Sequence, residues 1–356
     1  MQLCAASPLY GALPMNSSPR RRRLRLLAKI IPLCLSLLVG AAALEVFARW
    51  SYGRPTMHFG IEMWKYARTL KVRAENPEMS HRHKPNASGF LMGADMKINA
   101  LGLRDRDGIT VEKPPGTYRI VVLGDSTTLG WGVPFAQLYP KLLEQSFNSN
   151  PPSADWKRYE VINTGIGNYN TCQELASFKE RWLGMKPDLV LISWYINDAE
   201  PTPKPSHNWL AYHSFGYTLT SANLDSLLRN VGADKGYKKY YSDLYEPEQP
   251  GWKKSQEAFA ELARLCRERN IPLRILLIPE LHSLAGNYEF TRVHDLIREV
   301  GAKNGVSVLD LLEAFPASGD PKQYWVSVED AHPNGAANEL MAAKIDAALR
   351  TGKWIK

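Results

Sequence analysis

The chain has 356 residues, of which 44% are hydrophobic and 22% charged, a balance typical of a folded protein and not of a disordered one. The net charge is +8, but six positive side chains and no acidic one lie within the first 29 residues, which leaves only +2 for the rest. Nucleic-acid binding requires a basic face on the folded domain, so this distribution argues against it.

The N-terminal segment is predicted to direct the chain to a membrane. Residues 1–29 form a basic tail, and residues 30–48 are apolar enough for a signal anchor or transmembrane helix. Positive charge before an apolar helix keeps that end in the cytoplasm, so the remaining chain is expected on the extracytoplasmic, periplasmic side. A cleavable signal peptide is the alternative, because Ala41 and Ala43 form an A-x-A cleavage pattern.

Residues 49–116 are predicted to form a linker and a strap that leads into the main domain. A short helix is expected around residues 61–70, and the alternating apolar residues of segment 97–107 favour a short strand with turns. His81 and His83 flank Arg82 in a polar stretch, which we interpret as a solvated loop.

Residues 117–356 have the alternating pattern of an α/β domain. The predicted strands lie within 118–126, 159–166, 187–198, 272–279 and 306–312, and the predicted helices are 135–147, 171–183, 253–269, 291–303 and 335–349. The strands are continuous apolar runs, as expected when helices cover both faces of a parallel sheet. Residues 199–250 break this rhythm and are predicted to be an insertion after the third strand, where loops border the ligand crevice.

Polar residues follow three of these strands and precede the last helix. Ser126 ends the first strand, Asn197 ends the third, and Asp330 and His332 come directly before the final helix. Strand ends of a parallel sheet meet at one edge, so we expect these side chains to lie together. A nucleophilic serine requires a base, a carboxylate that orients the base and donors for an oxyanion, and these residues are of the required types.

Four sequence blocks resemble the SGNH hydrolases, also called GDSL-like lipases or acylhydrolases, in their membrane-anchored bacterial form. They are VVLGDSTTLGWGV, INTGIGNYN, WYIND and EDAHPN, in the family's order and spacing over roughly residues 97–350. The resemblance implies a three-layer α/β/α, flavodoxin-like sandwich. It also implies that Ser126 is the nucleophile and His332 the base, with an oxyanion hole built from the Ser126 backbone, a residue of the second block and Asn197.

The sequence departs from the family pattern at three positions. Asn168 fills the usual glycine position of the second block, with Gly167 one residue earlier as the alternative donor. Tyr195 replaces the glycine before the third-block asparagine. The family acid often lies three residues before the histidine, where this chain has Glu329; Asp330, two residues before, fits another common variant and is the preferred acid.

These features predict an exported serine esterase that acts on an O-acyl ester, in particular an acetyl ester, of a carbohydrate or a small molecule. The mechanism requires no metal and no organic cofactor. One alternative is a polysaccharide O-acetyltransferase that works with exopolysaccharide export machinery. Another is a non-catalytic scaffold or binding component of the envelope, although the presence of Ser126, Asn197 and His332 argues against it.

Overall fold

The computed structural model describes residues 19–203, 209–231, 233–284, 286–352 and 354–355. Most of the predicted basic tail, including Cys4, and residues 204–208 of the predicted insertion lie outside the described residues. The helices are α1 (Pro19–Tyr52), α2 (Phe59–Leu70), α3 (Ser126–Leu129), α4 (Tyr139–Ser149), α5 (Thr171–Ser177), α6 (Trp209–His213), α7 (Phe215–Val231), α8 (Ala233–Asp243), α9 (Pro250–Glu268), α10 (Thr291–Lys303) and α11 (Gly335–Thr351).

The strands form one central sheet and three small hairpins. They are β1 (Lys71–Arg73), β2 (His81–His83), β3 (Ser88–Leu91), β4 (Ala94–Lys97), β5 (Thr117–Leu123), β6 (Arg158–Asn163), β7 (Leu189–Trp194), β8 (Leu273–Leu277), β9 (Ser307–Asp310), β10 (Trp325–Ser327) and β11 (Asp330–Pro333). The central sheet has the order β6-β5-β7-β8-β9, and every neighbouring pair is parallel. This is the flavodoxin-like order, so the predicted fold is confirmed.

Two apolar layers enclose the sheet because its strands are buried on both faces. Along β5, Val121 and Leu123 belong to one core cluster, while Ile120 and Val122 belong to the other. Helices α5, α9 and α10 contribute to the first cluster, and α4 and α11 to the second. The alternation of side chains along a strand therefore produces the three-layer sandwich.

The strap packs against the domain as α2 and two antiparallel hairpins, β1–β2 and β3–β4. The solvated-loop interpretation of residues 81–83 is wrong, because His83 is fully buried in β2. Its Nε2 lies 2.7 Å from the Tyr66 hydroxyl, which supplies a hydrogen-bond partner inside the protein. Burial lowers the pKa of His83 to about 3, so its ring is neutral.

The strand predicted within 97–107 is also misplaced, since β4 ends at Lys97 and a tight turn follows. The Asn99 carboxamide oxygen accepts hydrogen bonds from the backbone N–H groups of Leu101 and Leu103, which holds the chain in the turn. The buried Arg104 then donates to the carbonyl oxygens of Leu129 and Gly130, at the C-terminal end of α3. Side-chain hydrogen bonds to the backbone therefore replace the expected strand.

Within α1, residues Leu26–Tyr52 are long and apolar enough to cross a membrane. Their most apolar stretch of 18 residues has a mean hydropathy of 2.3 and is not buried inside the protein. The end of this helix contacts the predicted insertion. Glu45 accepts hydrogen bonds from the Ser214 hydroxyl at 2.9 Å and from the backbone N–H groups of Phe215 at 3.2 Å and Gly216 at 2.8 Å. A carboxylate of α1 thus caps the N-terminus of α7, whose first amides lack partners within their own helix.

We expect Glu45→Ala to loosen the first turn of α7, because the removed carboxylate satisfies two of its backbone donors. Loss of such a cap costs about 1 kcal/mol, which corresponds to about fivefold faster hydrogen exchange in that turn. Exchange measured by mass spectrometry on the full chain in detergent tests this. Glu248→Ala is the matched control, because Glu248 is exposed and, among the described residues, pairs only with Lys253 at the surface. Equal exchange of α7 in both variants would contradict the capping role.

Candidate active site

Ser126 lies at the first position of α3, immediately after β5. Asp125 precedes it and caps α3, since its carboxylate accepts the Thr127 N–H at 2.8 Å. Gly124 permits this tight turn, because a Cβ atom there would lie only 2.1 Å from the Thr128 hydroxyl. The turn presents Ser126 at the carboxyl edge of the sheet, where its side chain is largely enclosed at 7% exposure.

A continuous row of hydrogen bonds connects Ser126, His332 and Asp330. The Ser126 Oγ lies 2.9 Å from the His332 Nε2, and the His332 Nδ1 lies 2.5 Å from the Asp330 Oδ1. The same carboxylate oxygen accepts the backbone N–H of His332 at 3.1 Å. The sequence separates Ser126 from His332 by 206 positions, and the parallel sheet brings them together.

Asp330, and not Glu329, contacts the histidine. The Asp330 side chain is buried at 3% exposure, whereas Glu329 is exposed and its carboxylate has no hydrogen bond or ion pair within the described residues. Asp330 and His332 both lie in β11, two positions apart, so their side chains project from the same face of the strand. Glu329 lies one position before Asp330, so its side chain projects to the opposite side of the chain.

The charges of this row shift the pKa values of His332 and Asp330 in the directions that favour an ion pair between them. Burial of the His332 ring disfavours its protonated form, but the charge of Asp330 and its hydrogen bond outweigh burial and raise the pKa of His332. For Asp330, burial favours the neutral acid, but His332 outweighs burial and lowers the pKa of Asp330. A carboxylate that stabilises the protonated ring is suited to a base that takes a proton from serine.

The backbone near Ser126 offers candidate donors for an oxyanion. Within the described residues, the N–H groups of Ser126 and Asn168 have no hydrogen-bond partner, whereas the Gly167 N–H donates to the Tyr66 hydroxyl at 2.9 Å. Asn168 has a positive φ of 67°, a conformation that asparagine tolerates better than most residues. Of the two second-block alternatives, Asn168 therefore has the available N–H and Gly167 has an occupied one.

Asn197, in the short helical turn that follows β7, directs its carboxamide toward the same edge. Its Nδ2 donates to the Asp125 Oδ2 at 2.8 Å, and this orientation follows because an ionised carboxylate can only accept. One of the two hydrogens on Nδ2 is used in this contact, and the other remains for a ligand. Asp125 thus positions the asparagine and also caps the helix that carries Ser126.

The model of the GDSL-like lipase/acylhydrolase family matches residues 122–340 of this chain. The chain belongs to this family. Hydrolysis of acyl esters is the activity of the family, and the row of Ser126, His332 and Asp330 lies within the matched residues.

Several solved structures are similar at low sequence identity, and no curated protein matches. A lipase/acylhydrolase from Enterococcus faecalis has 16% identity and a TM-score of 0.40, over 66% of this chain and 96% of that one. The acetyl xylan esterase AlAXEase has 16% identity and a TM-score of 0.41, over 65% and 99%. A two-domain esterase active on acetylated mannans has 14% identity and a TM-score of 0.44, over 67% and 50%.

The sequence did not predict that the strap contributes side chains to the active site. Phe59 of α2 stacks on the His332 ring, with centroids 6.0 Å apart and planes inclined by 24°. Tyr66, about two helix turns further on, accepts the Gly167 N–H. Nothing in the local pattern of residues 59–70 indicates these contacts, because they join segments that lie far apart in the sequence.

Trp131 makes a polar contact with the acid of this row. Its indole N–H donates to the Asp330 Oδ2 at 2.9 Å, and the ring is buried. The two oxygens of Asp330 are therefore divided between His332 and Trp131. This contact makes Trp131 a positioning residue for the carboxylate.

We expect Trp131→Phe to lower kcat for ester hydrolysis by about tenfold with little change in KM, because a hydrogen bond to a charged group contributes about 1.5–3 kcal/mol. Steady-state kinetics on a small aryl acetate measure the effect. Trp194→Phe is the matched control: its ring is also buried, but its N–H donates to the Tyr245 hydroxyl. An equal loss of kcat in both variants would show that Trp131 acts through packing and does not position Asp330.

Proposed function

We propose that this protein is an exported, membrane-anchored serine esterase that removes short O-acyl groups, in particular acetyl, from a carbohydrate through an acyl-enzyme at Ser126. The observation that carries the proposal is the hydrogen-bonded row in which His332 lies between Ser126 and the buried Asp330. The arginine residues at the start of α1, before its apolar part, support export of the domain that follows.

The proposed mechanism has two steps. In the first, His332 takes the proton of Ser126 while Oγ attacks the acyl carbonyl. The bond between the acyl carbon and the sugar oxygen then breaks, and the protonated ring gives its proton to that oxygen, which leaves as a hydroxyl. In the second, His332 deprotonates a water molecule that attacks the acyl-enzyme, which releases the acid and restores Ser126. The N–H groups of Ser126 and Asn168 and the Asn197 carboxamide would hold the oxyanion in both steps.

The surroundings of the row favour a short acyl group and a polar alcohol. Phe59 and Trp131 both lie against His332, which leaves little room for a long chain. A cavity of about 270 Å³ adjoins Asn168, and polar side chains of the strap and of the insertion line it, among them Lys71, His81 and Glu200. Such a lining suits a hydroxylated molecule better than a lipid tail.

Covalent labelling tests the proposal directly. The full-length protein in detergent is treated with a fluorophosphonate, which reacts with activated serines, and the labelled peptide is identified by mass spectrometry. We expect the label on Ser126, loss of aryl acetate hydrolysis in parallel with labelling, and slower hydrolysis of aryl esters as the acyl chain lengthens. An unlabelled Ser126 in a protein that still hydrolyses the ester would disprove the nucleophile. An unlabelled Ser126 in a protein that shows no hydrolysis would support the scaffold hypothesis instead.

A polysaccharide O-acetyltransferase is the second candidate, and the enclosure of His332 favours it. The His332 side chain is only 18% exposed beneath Phe59, so water has restricted access to an acyl-enzyme. In that case the acceptor would be a sugar hydroxyl of a polysaccharide during export. Mass spectrometry of products formed from an aryl acetate and an oligosaccharide separates the two reactions, because acetylated sugar appears only if transfer competes with hydrolysis.

A further inference from the structure

A second acid–histidine pair lies at the same edge of the sheet. Glu280 and His282 follow β8 in the sequence Glu-Leu-His, which has the same spacing as Asp330-Ala331-His332. The Glu280 carboxylate accepts the backbone N–H of His282 at 3.0 Å, as Asp330 accepts that of His332 at 3.1 Å. Its other oxygen lies in hydrogen-bond contact with the His282 Nδ1. The pair thus repeats the acid–base half of the proposed triad without a serine.

The contact with the buried Glu280 fixes the tautomer that a neutral His282 ring presents. The Glu280 side chain is 0% exposed, and a carboxylate in such a place requires donors, which the Nδ1–H of His282 and the Tyr237 hydroxyl supply. With the proton on Nδ1, the Nε2 of a neutral ring is a hydrogen-bond acceptor. The His282 side chain is 37% exposed, and its Nε2 has no partner within the described residues. The site therefore offers an oriented acceptor to a ligand.

Two aromatic rings flank this acceptor. The Trp325 ring lies 4.6 Å from that of His282 and the Tyr237 ring 5.4 Å, both nearly edge-on, and both side chains are half-buried. The Trp325 indole N–H donates to the Leu281 carbonyl at 3.1 Å, which holds the ring in place. An apolar ring surface beside a fixed polar group matches a sugar, whose C–H faces and hydroxyl edges require both.

The pair is close to the proposed triad but separate from it. In the β10–β11 hairpin, Trp325 pairs with Pro333, which is the residue after His332 in the sequence. Burial lowers the pKa of His332, and the negative charge of Glu280 raises it, but less than the charges of Asp330 and Asp125 do. Ser126 already has its own base, so the acyl transfer does not require His282 as a second base. An exposed hydrogen-bond acceptor between aromatic rings is suited to binding a ligand.

We propose that Glu280, His282, Tyr237 and Trp325 form a carbohydrate subsite that holds a sugar unit of an oligomeric substrate beside the unit that carries the acyl group. His282 accepts a ring hydroxyl through Nε2, Glu280 fixes the ring of His282, and the two aromatic side chains contact the C–H face of the sugar. This inference rests on the proposed esterase function, because it names the substrate class of that same site.

The test compares substrates that reach the subsite with one that does not. Chemically O-acetylated pentasaccharides of glucose, mannose and xylose and the corresponding acetylated monosaccharides are assayed with full-length protein in detergent. We expect at least one pentasaccharide to have a KM about tenfold or more below that of its monosaccharide. His282→Ala should remove most of that advantage, and His282→Gln, which retains an acceptor, should restore part of it. His213→Ala, which changes an exposed histidine of α6, is the matched control and should keep the advantage.

Binding to the inactive Ser126→Ala variant separates failure of the subsite from failure of the esterase. Calorimetry should give tighter binding of the same pentasaccharide to Ser126→Ala than to Ser126→Ala/His282→Ala, by about tenfold. Equal affinities, or no pentasaccharide preference in a protein that hydrolyses aryl acetate through Ser126, would overturn the subsite and leave the esterase standing. Absence of Ser126-dependent hydrolysis combined with His282-dependent binding would instead disprove the esterase alone.

Discussion

Ser126→Ala is expected to lower kcat for hydrolysis of a small aryl acetate by about 10⁴- to 10⁶-fold, because the variant has no atom to form the acyl-enzyme. Binding of the ester should change little, since the removed hydroxyl contacts His332 and reacts only with the carbonyl carbon. The rate is measured with the full chain in detergent. The remaining activity should also lose its sensitivity to fluorophosphonates.

Ser327→Ala provides the control for this substitution. Ser327 lies in β10, next to the strand of His332, and its hydroxyl accepts only the Glu329 N–H at 3.3 Å. We expect its kcat to remain within about threefold of wild type, as for a surface substitution outside the site. If Ser126→Ala retained wild-type activity, the nucleophile would be another residue and the mechanism proposed above would be wrong.

Asp330→Asn is expected to lower kcat/KM by about 10⁴-fold, because an amide presents its N–H where the His332 Nδ1 requires an acceptor. The ring then no longer directs Nε2 toward Ser126 as a base, and its protonated form loses its counter-charge. Circular dichroism and thermal melting establish that the variant is folded, so that the loss is assigned to the site.

The same variant should displace the acid limb of the pH profile. His332 acts as a base only when neutral, so kcat/KM rises as pH increases through the pKa of His332. The Asp330 charge raises that pKa against the opposing effect of burial, and its removal leaves burial in control. The acid limb should therefore move to lower pH in Asp330→Asn. Glu329→Gln is the control, because Glu329 is exposed, and its profile should match wild type. An acid limb that moves in Glu329→Gln and not in Asp330→Asn would reverse the assignment of the acid.

The sequence alone determined the layers of the domain and the chemistry of its edge. Continuous apolar runs alternating with helices require a parallel sheet covered on both faces, and β5, buried along its whole length, has that environment. Because the strand ends of such a sheet share one edge, the polar residues that follow them are neighbours whatever their separation in the chain. The contact of Ser126 with His332 follows from this rule.

Choices between adjacent residues depended on local geometry and on contacts with distant segments. Asp330 contacts His332 because both lie in β11 with two-residue alternation, and the strand was not recognised in the sequence. Asn168 keeps an available N–H because Tyr66, from a helix about 100 positions earlier, takes that of Gly167. No local pattern records such a contact, since the free energy of packing the strap depends on the assembled surface and not on its own residues.

Contacts between distant segments also explain why the sequence did not assign a role to several residues around the site. Phe59 stacks on His332 and Tyr66 takes the Gly167 N–H, yet the sequence predicted only a short helix within a linker for this segment. Glu280 and His282 are two separate polar residues in the sequence, and only the burial of one beside the exposed ring of the other makes them a pair. Sequence periodicity determined which faces are buried, and the tertiary structure alone decided which polar atoms remain available to a substrate, because that depends on every segment that packs over them.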